Sequence, residues 1–368
     1  MGKLVPSQLN SLLNSRLNLK PSLPICIVFV ITVITIIIFI VSILITYIAY
    51  TTPTFYWISL DVTKNDVQGD AHLLNLNGNF VLIDTGHMVE SDNLINNLKK
   101  RNVQHLQKII ITHAHIDHYG GLTTLLKNFS VKEVYFNFPT KAQCIKEPWG
   151  CNLSDLDKIQ QALQTFRVKL LPLRAGDKFD YTTSASNGKY ASKEEINSHI
   201  YRKLSLEIIY AFDGINTPAG DGTTDLNDTS AIILIRHGFL KFLFTGDINF
   251  KIGRWIADRE KDGDKDKENK GELIGKVDVL KVPHHAATAL PDINFFNRFV
   301  GRDVIITAPL KLWESNRCQQ FKDIITILEN DSNLNHKVNL YINGANGDIK
   351  VRSYAGYFYK IKVEKNIY

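Results

Sequence analysis

From Pro21 to Leu60 the sequence contains no Asp, Glu, Lys or Arg. The 25 residues Ile25–Ala49, ICIVFVITVITIIIFIVSILITYIA, also lack a polar face, which argues against a surface helix or an ordinary core helix. A cleaved leader has an apolar region of about 7–15 residues ahead of a small-residue cleavage site, and this run is longer and has no such site. No later run reaches the roughly 18 apolar residues a second span would need, and no motif recurs at a fixed short period. Cysteines number four. Cys26 lies inside the apolar run and Cys318 stands alone, while Cys144 and Cys151 enclose IKEPWG, either as a disulfide or as two free thiols. Strong charge of one sign is also missing. The net charge is +6, and Lys3, Arg16 and Lys20 ahead of the apolar run account for half of it. That weak basic bias neither requires nor excludes a nucleic-acid partner.

A helix of this length crosses a hydrocarbon core of about 30 Å with some tilt. Tyr47, Tyr50, Phe55, Tyr56 and Trp57 gather at its far end, where interfacial aromatics belong. The residues flanking it are positive before (Lys3, Arg16, Lys20) and mainly negative after (Asp61, Asp66, Asp70, with Lys64). The positive-inside rule therefore predicts a cytoplasmic N-terminus and an extracytoplasmic bulk. The expected organisation is a short cytoplasmic segment over 1–23, a single-pass membrane anchor over 24–50 and one folded domain over 55–368.

Within that domain strand-like runs come first and then alternate with helical runs, twice over. FYWISLDV reads as a strand, and HLLNLNGNFVLID as two strands turning at Asn77–Gly78. Residues 91–101, 154–167, 249–260 and 317–330 have helical spacing, KIIIT and KEVYF are strands, and SAIILIRHGFLKFLFTGD is a hairpin at His237–Gly238. The polar stretch 181–202 and the charged run 258–272 read as solvated loops. The order suits an α/β fold of two packed sheets with helices outside, an αββα sandwich.

THAHIDHYGG, residues 112–121, places His113 and His115 where a strand runs out, with Asp117 and His118 as the chain turns into the next helix. Gly120 and Gly121 remove side chains where backbones must approach closely. Neutral imidazoles and carboxylates are the ligands expected for zinc, with manganese or iron as alternatives. FLFTGD places Asp247 past another buried strand, and VLKVPHH places His284 and His285 past a third. Three strand ends delivering ligands to one edge is the layout of a dinuclear hydrolytic site.

Together these motifs resemble the metallo-β-lactamase superfamily. The match is to the branch holding the hydrolase domain of ComEC-type DNA-uptake proteins and a bacterial phosphorylcholine esterase. It rests on LDV (60–62), QGDA (68–71), LIDTG (82–86), THAHIDHYGG, NDTS (227–230), TGD (245–247) and DVLKVPHH (278–285), in that order. Two departures stand out. TKNDV separates LDV from QGDA, and HHAA replaces an HHGS turn, losing a glycine and a hydroxyl.

The resemblance implies a metallo-β-lactamase sandwich preceded by one transmembrane helix, and two divalent metal ions, zinc foremost. His113 and His115 would hold one ion, and Asp117, His118 and His285 the other, with Asp247 bridging. His284 would face the negative charge developing on the substrate, and Asp117 would orient a metal-bridging hydroxide. Asn227 occupies the region where many members carry a further histidine. Asp84 would buttress the ligand loop, Asp70 would lie near the site, and His87 could border it. The activity implied is a membrane-anchored phosphodiesterase acting on a small phosphoester, a phosphorylated headgroup or a nucleic acid. The alternatives are a lactone or thioester hydrolase of the same fold, or a non-catalytic surface or scaffold protein.

Overall fold

The structure, a computed structural model, describes residues 25–51, 54–182, 203–213, 225–262, 274–330 and 337–364. The expected cytoplasmic segment 1–23, and all but the first two residues of the polar stretch 181–202, lie outside them. The chain divides into two compact units, residues 1–51 and 52–368.

The first unit contains one α-helix, Ile25–Thr51, of 27 residues, with no acidic residue in its first turn and no basic residue in its last. Its described large apolar side chains, among them Phe29, Ile37, Phe39 and Tyr47, are exposed. A helix of this length exceeds the roughly 20 residues a span needs. Among the described residues, however, no helix is long and apolar enough to cross a membrane. Within this helix the longest stretch with every side chain described is 29–44. The expected anchor is therefore not established by the structure.

The second unit is built on fifteen strands among the described residues: β1 (Phe55–Ser59), β2 (His72–Leu76), β3 (Asn79–Ile83), β4 (His105–Ile111), β5 (Ser130–Phe136), β6 (Lys169–Leu171), β7 (Lys178–Asp180), β8 (Leu204–Tyr210), β9 (Ile232–His237), β10 (Leu240–Phe244), β11 (Val279–Lys281), β12 (Asp303–Ile306), β13 (Asn339–Ile342), β14 (Asp348–Tyr354) and β15 (Phe358–Glu364). They form an eight-stranded sheet, β15-β14-β1-β2-β3-β4-β5-β6, and a seven-stranded sheet, β13-β12-β11-β10-β9-β8-β7.

Period-two alternation separates the core into layers. Trp57, Val81 and Ile110 of the first sheet share an apolar cluster with Leu206, Ile233 and Phe242 of the second. Trp57 and Phe244 meet at 4.4 Å between ring centroids across this layer. The opposite face of the first sheet, with Leu73, Ile109 and Val134, packs on Leu94, Leu125 and Ile159 from the helices Ser91–Lys100, Leu122–Asn128 and Leu153–Thr165. Leu234, Leu243 and Val304 of the second sheet pack on Ile252, Phe296 and Ile325 from the helices Phe250–Asp262, Ile293–Phe299 and Gln319–Asn330. The order is helix, sheet, sheet, helix, as expected.

Local details follow the residues. β2 and β3 turn on Asn77 (φ 52°) and Gly78 (φ 86°), both left-handed as a two-residue hairpin requires. The TKNDV excursion leaves its flanks paired, because Leu60 N still donates to Ala71 O at 2.9 Å. The charged run 258–272 differs from expectation at its start. The helix Phe250–Asp262 carries through Asp258–Asp262, since Arg, Glu and Lys propagate a helix once it is formed. Residues 263–273 lie outside the described residues. The short strands β6 and β7 and the helices Lys141–Lys146 and Leu310–Glu314 carry too few residues for a periodic signal.

Candidate metal centre

β3 and β4 run parallel in the first sheet, and β10, β11 and β12 run parallel in the second. Their C-terminal ends release the motif loops: Asp84 after β3, His113 after β4, Asp247 after β10, and His284 and His285 after β11. Ligand sites of parallel sheets gather at this edge, where chains leave the strands and backbone groups are free to turn. Here both sheets contribute.

Asp117, His118, Asp247 and His285 are all buried, and each offers a ligand atom within 4.8 Å of the others. Asp117 and His118 sit on the single-turn helix Ile116–Tyr119, just after His115. The glycines that follow are required by contact. A Cβ on Gly121 would lie 2.3 Å from Thr85 O, and one on Gly120 would lie 2.5 Å from Met88 N.

Each imidazole is oriented by a group on its far side. His118 Nδ1 donates to Asp84 Oδ2 at 2.9 Å, leaving Nε2 3.2 Å from Asp247 Oδ2. Asp84 also accepts from Thr112 N and Thr112 Oγ1, at 2.7 and 2.8 Å, so it fixes the ligand loop as well as the ring. His285 Nδ1 lies 2.9 Å from the Thr307 carbonyl oxygen, which directs Nε2 towards Asp117 Oδ2 at 3.1 Å and Asp247 Oδ2 at 3.2 Å. A ring N–H tied to a carbonyl or carboxylate sets the tautomer a metal-facing histidine needs.

His113 and His115 lie beside this cluster rather than in it. His113 stands 4.1 Å from His118 and 4.7 Å from His115 between ring centroids, and its buried Nε2 has no hydrogen-bond partner. His115 Nε2 meets Glu147 Oε2 at 2.8 Å, leaving Nδ1 as the atom free to bind. The two follow β4, which ends at Ile111, and lie in the turn that leads into the helix Ile116–Tyr119. His284 is outside the cluster. It is partly buried, its Nδ1 lacks a partner, and its ring centroid is 6.4 Å from that of His285. Asn227 is buried with its Oδ1 unpartnered. His87 caps the short helix Met88–Glu90 and is partly buried.

Charge at the site is out of balance. Asp70, Asp84, Asp117 and Asp247 are buried carboxylates. Lys281, fully buried, donates to Asp247 Oδ1 at 3.2 Å and to Gly246 O at 2.8 Å, and lies 2.5 Å from Asp70 Oδ2. Burial alone would lower the Lys281 ammonium, but Asp70 and Asp247 hold it above its usual range. Burial would likewise push His118 and His285 down, yet Asp247 and its neighbours hold both well above the usual imidazole range. His113 goes the other way: burial, then the charge of His118 and His115, keep it well below that range and neutral.

An excess of buried carboxylate, inward-aimed ring nitrogens and an orphaned His113 Nε2 are what a divalent cation would satisfy. Asp117, His118, Asp247 and His285 fit a divalent ion of the kind the fold implies, and His113 and His115 stand beside them.

Three residues take part that the motif reading left without a role. Lys281 is a charged residue inside VDVLKV, and a lysine in a buried strand is itself a signal. Gln68 Nε2 donates to Asp117 Oδ2 at 2.9 Å from the loop carrying Asp70. Glu147 lies in a loop closed by the Cys144–Cys151 disulfide, and no local pattern joins it to a histidine 32 residues earlier.

Residues 65–150 match the family model described as Metallo-beta-lactamase superfamily. The chain is 23% identical over 215 residues to ComE operon protein 3 of Bacillus subtilis (strain 168), covering 58% of this chain and 21% of that protein. It thus spans about a fifth of that relative's length. Among solved structures it is similar to the metallo-beta-lactamase fold protein YhfI from Bacillus subtilis (TM-score 0.44, 10% identity, 84% of this chain and 100% of that one). It is also similar to Tm1679, a metal-dependent hydrolase of the beta-lactamase superfamily (TM-score 0.40, 17% identity, 84% and 100%). Residues 65–150 thus carry a match to the metallo-beta-lactamase superfamily, set in an α/β sandwich that brings together the residues of a metal-dependent hydrolase.

Proposed function

We propose that the protein is a phosphodiesterase held at a membrane by its first helix, with its sandwich domain on the extracytoplasmic side. The observation that carries the hydrolase reading is the convergence of Asp117, His118, Asp247 and His285 from both sheets. Phosphodiester chemistry is favoured by the branch that the motifs resemble. It is favoured too by Asn227, a weaker ligand, in the region where other members place a histidine.

Two divalent ions, zinc foremost, would supply Lewis acidity and a more acidic water. The chain supplies the rest. Asp84, Glu147 and the Thr307 carbonyl hold the three imidazoles by their far nitrogens. Gln68 fixes one oxygen of Asp117, and Lys281 offsets part of the carboxylate charge so that Asp247 and Asp70 can share one buried space. His284, which burial keeps below the usual imidazole range, offers a neutral ring to the substrate. The 27-residue uncharged helix and its exposed Ile and Phe side chains support the anchor, and the flanking charges support the orientation.

The test is turnover by the full chain in detergent, with measured metal content, on bis-nitrophenyl phosphate, single-stranded DNA, a phosphorylcholine ester and a lactone. The expected outcome is cleavage of phosphodiesters, loss of at least a hundredfold in His118→Ala and inhibition by chelation. Cleavage of the lactone alone would replace the phosphodiesterase reading. Less than one equivalent of metal, with activity unchanged in His118→Ala, would end the hydrolase reading. Protease digestion of intact cells checks the orientation: an extracytoplasmic domain is cut, and protection would reverse it.

A further inference from the structure

The loop IKEPWG is short, its ends are joined by the Cys144–Cys151 disulfide with Cα atoms 5.2 Å apart, and Pro148 stiffens its middle. It is pinned to the site twice. Gly150 O accepts from Ile116 N at 2.8 Å, and Glu147 bridges His115 to Leu226 N through its two oxygens. Contact is close enough that a Cβ on Gly150 would lie 2.6 Å from the His115 ring.

Between these anchors stands Trp149. Its side chain is 69% exposed, yet its ring centroid is 4.9 Å from that of His115. Trp57 is fully buried, and Trp255 and Trp313 are partly covered. An indole placed in water, on a backbone fixed from both sides and against a residue of the metal centre, is pre-organised to meet whatever occupies that centre.

We propose that Trp149 is a stacking platform for the nucleobase next to the scissile phosphodiester, so that the substrate is a nucleotidyl diester, a single strand or a dinucleotide. This rests on the phosphodiesterase reading above. Stacking needs one exposed aromatic face, which the loop provides, and it accepts any base. A quaternary ammonium headgroup needs several aromatic faces, usually with a free carboxylate. Here the nearby carboxylates are engaged: Glu147 spends both oxygens on His115 and Leu226 N, and Asp225 accepts from Asn227 N and Asn249 Nδ2. Lys141 and Lys146 are exposed on the helix leading into the loop, Lys141–Lys146, where a phosphate backbone could run past them. Aromatic stacking beside cationic side chains is the combination single-strand binders use.

The experiment reads binding rather than turnover. The full chain in detergent, zinc-loaded and chelated in parallel, is titrated with octathymidylate, with a thymidine dinucleotide and with an abasic octamer. Tryptophan fluorescence and anisotropy of labelled oligomers are recorded. Octathymidylate and the dinucleotide should quench a saturable part of the emission, and the abasic octamer should not. Trp149→Phe should lose the quench but bind within about threefold of the parent, because phenylalanine still stacks, whereas Trp149→Ala should bind roughly tenfold more weakly or worse. The relative affinities of octamer and dinucleotide tell polymer from small diester. Equal binding of octathymidylate by Trp149→Ala and the parent, or of abasic and base-bearing octamers, would overturn the proposal. So would a phosphorylcholine ester that quenches Trp149 where the oligomers do not. Turnover on bis-nitrophenyl phosphate is measured separately, so a failed catalytic reading and a failed stacking platform give different results.

Discussion

At the scale of single residues, the centre depends on atoms one bond removed from any ligand. Glu147 touches no ligand but His115, and it occupies Nε2 of that ring. Partners of this kind typically contribute 10–100-fold to metal affinity. Glu147→Gln should therefore lower affinity at the His113–His115 site by about tenfold while the domain stays folded, measured by competition with a chromogenic chelator. An unchanged affinity would make the contact incidental. Gly121→Ala is the steric counterpart: its methyl would enter the space of Thr85 O. It should cost about 1–3 kcal/mol in urea unfolding, as overpacking does. The sequence made His113, His115, Asp117 and His118 readable because they are contiguous, and Asp247 and His285 readable because each follows a strand. It could not reveal Glu147 or Gln68, whose partners are distant in sequence. The missing glycine of the HHAA turn was legible, and its consequence is physical. His284, His285 and Ala286 run consecutively at φ 49°, 53° and 61°, a left-handed stretch without a single glycine. Each such residue costs about 1–2 kcal/mol, which packing of the buried Ala286 and the His285–Thr307 contact must offset.

At the scale of elements, the disulfide loop joins stability to the site. Closing so short a loop removes little chain entropy, worth about 2–3 kcal/mol. The paired change Cys144→Ser and Cys151→Ser should lower unfolding free energy by that amount and release Glu147 from His115, so that metal affinity falls with stability. A loss of stability with affinity intact would show that Glu147 holds His115 unaided. Longer elements were legible from their periods. The helices Ser91–Lys100 and Leu153–Thr165 and the β2–β3 hairpin fall within a residue or two of the spans their patterns predict. The short ones were not. The helix Lys141–Lys146 exists because Thr140 and Gln143 form a reciprocal cap and the disulfide follows. Hydropathy carries no trace of either.

At the scale of the molecule, the two sheets are joined at both ends of the β9–β10 hairpin. At one end His237 lies 2.9 Å from Thr54 Oγ1 and 2.6 Å from Ser353 Oγ, tying the second sheet to the first. Burial pushes its imidazole down to about 4. Below its ordinary value of 6.5 the unfolded chain takes a proton that the folded chain refuses. Stability present above pH 6.5 is thus lost as pH falls towards 4, by about 3 kcal/mol at most. His237→Gln should flatten that part of the stability profile in urea unfolding at pH 7, 6, 5 and 4.5, and an unaltered slope would exclude the histidine as its source. At the other end of the hairpin lies the metal centre, where His285 meets Asp117 across 168 positions of chain. Residues 65–150 carry the recognisable histidine motif, but of the four clustered residues they supply only Asp117 and His118. The cluster is complete only once the loops after β10 and β11 have delivered Asp247 and His285. Loading of metal can therefore serve as a gauge of completed folding, because a chain that stops before β10 lacks Asp247 and His285 however well β1 to β5 have paired.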